Sequence, residues 1–222
     1  MLIYVILILV AYLIGSIPTS VWIGKVFYGK DIRDYGSGNA GATNTFRVLG
    51  KKAGIPVLLI DILKGSIAVY LAGYVDNFSD AVLTSNELIN MQLALGIAAL
   101  FGHIFPIYVG FRGGKGVATL FGAVIALQPE AAIIAIAIFL ITLVITRYVS
   151  LSSMIAGFSF PILIIVILKE TTISLVVFSM LIAILLLFTH QKNIERLLAK
   201  EENKANIKIK KKKKLNDNST LD

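Results

Sequence analysis

Apolar residues gather in seven runs along the chain, at roughly 2–24, 54–74, 91–109, 116–128, 131–147, 151–168 and 173–189. About 20 helical residues cross a hydrocarbon core, so the pattern predicts an all-α integral membrane protein with seven transmembrane helices. The fourth run is short, and "QPE" at 128–130 separates it from the fifth. A proline and a glutamate in mid-bilayer are costly, about 2.5–3.5 kcal/mol for a central acid. The segment therefore reads as a turn at a membrane surface. The alternative is one span across 116–146, which leaves six crossings and changes which loops share a side.

The basic residues choose between these counts. With seven spans, nineteen of the twenty-one Lys/Arg fall on one side, leaving Lys64 inside a span and Lys169 opposite. The other loops carry Asp76, Asp80, Glu87, Glu130 and Glu170. Positive residues mark the cytoplasmic side, which predicts an outside N-terminus and a cytoplasmic C-terminus. Composition agrees with a membrane chain: 57% hydrophobic, 15% charged, mean hydropathy +0.84. Of the net charge of +8, the segment after His190 supplies +5, with ten Lys/Arg against five Asp/Glu. That positive charge forms a juxtamembrane cluster on no nucleic-acid-binding pattern, so no nucleic-acid partner is expected. The division expected is a membrane domain over 1–198 and a lysine-rich tail over 199–222 that cannot build a core and is disordered. The six lysines of "KIKKKKK" suit an electrostatic leash to anionic membrane lipid.

On this topology every glycine-rich or motif-like segment faces the cytoplasm. In "GSGNAGATNTFR", 36–47, glycines let backbone N–H groups turn inward and form an anion-binding concavity. Ser37, Asn39, Thr43 and Asn44 add short polar side chains, and Arg47 can grip phosphate bidentately. An ordinary interhelical loop uses the same turn formers, but the density of donors with no acid among them points to an anion. "GFRGGKGVAT", 110–119, resembles a phosphate loop without matching it: Val109 and Gly116 stand where G-x-x-x-x-G-K-[ST] needs Gly and Ser/Thr. ATP hydrolysis is therefore not indicated. Lys115 and open N–H groups at the start of a helix still favour an anion, whereas glycines serving only helix packing leave Arg112 and Lys115 unexplained.

Further polar residues carry weaker signals. In "HQKNIERL", His190 and Asn193 are spaced i, i+3 and share a helical face; His190 suits a proton acceptor or a hydrogen-bond donor, or a solvated cap. His103 in "GHIFP" reads as a structural hydrogen-bonding group. Asp61 and Lys64, i, i+3 within the second span, form either a structural pair or part of a cavity lining. Ser150 and Ser153 make another i, i+3 pair, for which helix packing is the default. Cysteine is absent, Ser37 lacks a nucleophile elbow, and no His/Asp/Glu cluster has metal spacing. Any catalysis is expected to be direct, with no metal or cofactor.

Together, "GSGNAGATNTFRVLG", "DILKG", "GHIFPIYVGFRGGKGVAT", "YVSLSS" and "HQKNIERL", in that order, resemble the bacterial acyl-phosphate:glycerol-3-phosphate acyltransferase family over roughly residues 10–198. The resemblance implies transfer of a fatty acyl group from acyl phosphate to the 1-hydroxyl of glycerol 3-phosphate. The products are lysophosphatidic acid and phosphate, at the cytoplasmic face of a bacterial inner membrane. By motif, it puts Ser37, Gly38 and Asn39 at the acyl-phosphate head, with Thr43, Asn44 and Arg47 completing an anion pocket. Lys115 with the Gly113, Gly114 and Gly116 backbone would neutralise phosphate, and His190, Asn193 and Ser153 would position glycerol 3-phosphate. A small transporter of an organic anion is the alternative in a different class, but the motifs gather on one face and no internal repeat is visible.

Overall fold

Pro18 divides the first apolar run. It lacks an amide hydrogen, so helix α1 (Leu2–Ser16) stops and α2 (Thr19–Tyr28) restarts beyond it, ending on left-handed Gly29. A 3-10 turn at Ile32–Asp34 and the short amphipathic α3 (Ala42–Leu49) lead into α4 (Lys51–Tyr70). α5 (Ser85–Ile104) starts with a capping box: Glu87 N–H donates to the Thr84 hydroxyl, and Thr84 N–H donates to the Glu87 carboxylate at 2.9 Å. Then follow α6 (Val117–Leu127), α7 (Pro129–Thr146), α8 (Val149–Ile162), α9 (Ile173–Thr189) and α10 (Gln191–Leu198). The computed structural model describes residues 2–75 and 83–205. Asp76, Asp80 and the lysine run of the tail lie outside those residues.

The described residues contain helices and no strands, and the chain is an integral membrane protein. Five helical stretches are long and apolar enough to cross a membrane: 2–28, 51–74, 85–109, 129–146 and 149–167. A sixth is α9 with α10, bent by 62° at His190. α6 has 11 residues and reaches about 16 Å, half of a hydrocarbon core. The break expected at "QPE" is present: α6 ends at Leu127 and α7 begins with Pro129 at its first position.

Two apolar clusters hold the bundle. Leu7, Ala11, Ala68, Ala72, Leu95 and Ala99 join α1, α4 and α5. Leu100, Leu120, Val124, Phe160, Ile164, Phe178 and Leu186 join α5, α6, α8, α9 and the turn after α8. α4 and α6 cross at backbone contact: a Cβ on Gly65 would lie 1.8 Å from Thr119 O, and one on Gly122 1.9 Å from Ile62 O. Small residues at such crossings let van der Waals packing replace the hydrophobic force that lipid removes. α7 turns Ile133, Leu140, Ile141, Val144 and Ile145 outward, as a lipid-facing helix must.

Candidate functional site

The loop after α2 is organised by a carboxylate. Asp31 accepts from Arg33 Nε at 3.0 Å and Nη2 at 2.8 Å, and pairs with Lys25 at 3.1 Å. Arg33, and then Lys25, hold this carboxyl well below the usual carboxylate range against the opposing effect of burial. Arg33 Nη1 also donates to Val109 O at 2.9 Å, tying this loop to the second glycine-rich loop. Asn44, expected in the anion pocket, is fully committed elsewhere: its Oδ1 accepts from Ser37 N, and its Nδ2 donates to Ile32 O and Tyr35 O. The buried Asn44 therefore shapes the loop. Ser37, Gly38, Thr43 and Arg47 are left exposed on its surface, with Asn39 half-buried.

The second loop departs from expectation at two amides. Gly113 N donates to Ile104 O at 3.2 Å and Gly114 N to His103 O at 3.1 Å. These carbonyls end α5 and lack helical partners, so they take the N–H groups that the sequence pattern assigns to phosphate. Gly116 caps α6 in the left-handed conformation, φ 78°. What the loop does offer is Lys115. Its ammonium donates to Asn193 Oδ1 on α10. Burial brings its pKa down to about 8, helped by the cations Arg196 and Arg47 and opposed by Glu202.

His190 sits at the bend between α9 and α10, almost wholly buried. Its Nδ1 lies 3.0 Å from Leu186 O and 3.2 Å from the Thr189 hydroxyl. A carbonyl only accepts, so the Leu186 contact puts the proton on Nδ1 and leaves Nε2 as an acceptor. Ser153 is buried, but its hydroxyl donates to Val149 O in its own helix.

Glu202 was not expected at the site. It is buried, and its Oε1 accepts from Asn193 Nδ2 at 2.9 Å and Ser150 Oγ at 3.1 Å, while its Oε2 accepts from Arg196 Nε at 2.9 Å. Ala205 N donates to Arg147 O, so residues 199–205 continue the packed body past the boundary drawn at 198. One acid in a basic tail carries no sequence signal of burial. Its spacing from Asn193 and Arg196 becomes meaningful only after the chain reverses at Lys200, φ 60°.

Hydrogen bonds thus join Lys115 and Asn193, both expected, with Arg196, Ser150 and Glu202, while Arg47 and His190, also expected, lie within electrostatic reach of Lys115. Among the described residues, no hydrogen bond or ion pair links the Ser37, Thr43 or Ser153 side chains to that cluster. Among the described residues, the cations Lys115, Arg47 and Arg196 and the carboxylate Glu202 are grouped there, beside an imidazole with an open acceptor nitrogen. Such an arrangement has the chemistry to hold an anion and to align a hydroxyl.

Comparison with known proteins places the chain among relatives of one family. The pattern that defines the family "Glycerol-3-phosphate acyltransferase" matches residues 5–200. A protein of that name from Listeria monocytogenes is 46% identical, covering 90% of this chain and 96% of its own. The Fusobacterium nucleatum protein is 44% identical (89% and 95%), and that of Chlorobaculum tepidum 40% (92% and 97%). Among solved structures, PlsY (YgiH), an integral membrane glycerol 3-phosphate acyltransferase, superposes in its glycerol 3-phosphate form with TM-score 0.79. It is 36% identical, covering 91% of this chain and 95% of that one. Its lysophosphatidic acid form gives 0.76 and 35%, covering 90% and 94%.

Proposed function

The chain belongs to the glycerol-3-phosphate acyltransferase family, and from that premise we propose how its own residues carry the reaction. It is a membrane acyltransferase that converts glycerol 3-phosphate to lysophosphatidic acid. The donor is acyl phosphate. The grouping of Lys115 with the cations Arg47 and Arg196 and the carboxylate Glu202, each close enough to shift the Lys115 charge, carries this reading, because the surplus positive charge suits two phosphorylated substrates.

Ser37, Gly38, Asn39 and Thr43, on the loop that Asn44 shapes, receive the acyl-phosphate head with Arg47. Lys115 and the α6 N-terminus beyond Gly116 neutralise phosphate, while the Gly113 and Gly114 backbone sets the height of Lys115. His190 Nε2 accepts a hydrogen bond from the 1-hydroxyl of glycerol 3-phosphate, with Asn193 beside it. Ser153 contributes to the wall. The hydroxyl oxygen attacks the acyl carbon, a C–O bond forms, and the bond from the acyl carbon to the phosphate oxygen breaks. Phosphate leaves directly, with no acyl-enzyme. As the C–O bond forms, the hydroxyl proton turns from His190 Nε2 to the departing phosphate, whose pKa of roughly 6 or above makes it the final proton acceptor. Preorganised cations stabilise the charge that grows on the carbonyl oxygen and phosphate.

The topology that fits is seven membrane elements with the N-terminus outside and the site at the cytoplasmic face of a bacterial inner membrane. Nineteen of twenty-one Lys/Arg then face inward. The short α6 crosses only because its loop dips below the surface into a protein-lined cleft, where irregular backbone is tolerated. That depth suits a substrate with its acyl tail among helices and its phosphate in water.

Purified protein in detergent, given acyl phosphate and glycerol 3-phosphate, is expected to release lysophosphatidic acid and phosphate one to one. Product from an acyl thioester, with none from acyl phosphate, would overturn the donor assignment. Because the chain has no cysteine, single cysteines at Lys52 and Glu130 test the topology with an impermeant maleimide. Labelling of Lys52→Cys from outside intact cells contradicts it.

A further inference from the structure

Three side chains that are costly in lipid meet beneath the glycine-rich loop. Asp61 and Lys64, one turn apart on α4, are 2.7 Å apart and almost wholly buried. Lys64 Nζ also donates to Ile17 O at 2.7 Å and to Gly15 O at 3.4 Å, carbonyls at the break that Pro18 creates. Asp61 Oδ1 accepts from the Thr19 hydroxyl at 3.0 Å, at the start of α2. His103, in the last turn of α5, has Nδ1 3.1 Å from the Thr119 hydroxyl on α6 and 3.9 Å from Asp61 Oδ1.

The opposite edge of that imidazole lies against the loop. A Cβ on Gly114 would stand 2.3 Å from His103 Nε2 and 2.7 Å from Ala40 O. Gly114 N already donates to His103 O, so one residue holds Gly114 from both its backbone and its ring. A cavity of about 10 Å³ lies among Asp61, Lys64, His103, Ala40 and Gly113, near the size one water needs. Both glycine-rich loops thus rest on the same buried polar floor.

We propose that Asp61, Lys64 and His103 form a brace that sets the position of the 110–116 loop, with His103 the positioning residue for Lys115. The brace joins the broken first span, α4, α5 and α6 at one point, and Lys115 is one residue beyond Gly114. Intramembrane ions facing the interior are expected to have such a task. None of the three touches substrate; they act through the loop. The inference rests on the acyl-transfer reading above.

Steady-state kinetics of His103 variants test it. His103→Ala is expected to raise KM for at least one phosphorylated substrate about tenfold while kcat falls less than threefold, because the loop loses its stop. His103→Gln, whose amide reaches the Nε2 position against Gly114, should recover most of that loss. His103→Asn reaches only the Nδ1 position and should not. Should His103→Ala fail to fold, Thr119→Val removes the hydroxyl that holds the ring and should shift the same KM in the same direction. Variants that lower only the melting temperature, with both KM values unchanged, overturn the brace. Rescue by His103→Asn as complete as by His103→Gln overturns it too. Wild-type protein that makes no lysophosphatidic acid counts instead against the acyl-transfer reading.

Discussion

Asp61 with Lys64 and Lys115 with its neighbours are two answers to charge at a membrane. In the first cluster every charge is matched: Lys64 has a carboxylate and two carbonyls, and Asp61 has an ammonium and a hydroxyl. In the second, among the described residues, Lys115 is subject to the cations Arg47 and Arg196 and to the one carboxylate Glu202, and it keeps its charge only up to about pH 8. Matched buried charge joins helices; unmatched charge at the edge of water awaits an anion. The same residue type, lysine, serves architecture in α4 and chemistry in the loop, and what differs is the number of acceptors around it.

The contrast breaks most visibly at Lys115. Lys115→Ala is expected to reduce turnover by about 10²–10³ or more with little change in melting temperature, and Arg47→Ala to act in the same direction. Near-normal turnover in a folded variant removes that residue from the site. Lys64→Met is the mirror image: it leaves Asp61 a buried unpaired carboxylate and should cost about 3–5 kcal/mol of stability. Thermal unfolding in detergent reads it. The double variant Asp61→Leu with Lys64→Met should recover part of the loss, though the Gly15 carbonyl loses its ammonium partner and Ile17 O keeps only Thr19 as a donor. If the single variant melts like wild type, the cluster carries no structural load.

A smaller effect sharpens the comparison. Lys115 is charged below about pH 8, so kcat/KM for the substrate it holds should be level below that value and fall as pH rises through it, approaching tenfold per unit. Lys115→Arg should carry the fall beyond pH 9. Glu202→Gln removes the one neighbour that raises the Lys115 pKa, so the fall should begin at lower pH. The smallest change is expected from deleting residues 206–222: kcat in detergent within about twofold, and weaker binding to anionic vesicles, where each lysine contributes about 1 kcal/mol.

Much of the candidate site was legible because its residues sit in motifs. Lys115, His190 and Asn193 stand at or just beyond the ends of apolar runs, and Arg47 closes a stretch rich in donors, where a membrane chain has no packing need for them. The assignment of Gly113 and Gly114 amides to phosphate did not hold, because the end of α5 claims them first. Asn44 looked like a ligand contact and is a loop organiser, since a donor-rich side chain reads the same whether it bonds backbone or substrate. The short α6 was visible as a short run; that it packs backbone to backbone on α4 was not.

Hydrophobic run lengths and proline and glycine positions are properties of consecutive residues, so helices, their breaks and a membrane setting followed from the chain alone. Which groups share a pocket depends on residues far apart in sequence: Lys115 with Asn193, Ser150 with Glu202, Asp61 with Thr19 and His103. A carboxylate in a basic tail and one in an apolar helix have no visible partners until packing brings donors within hydrogen-bonding range. Only the tertiary structure could decide that Glu202 belongs to the site and Asp61 to the floor beneath it, because pairing energy depends on distance and burial, and neither is a property of a single position.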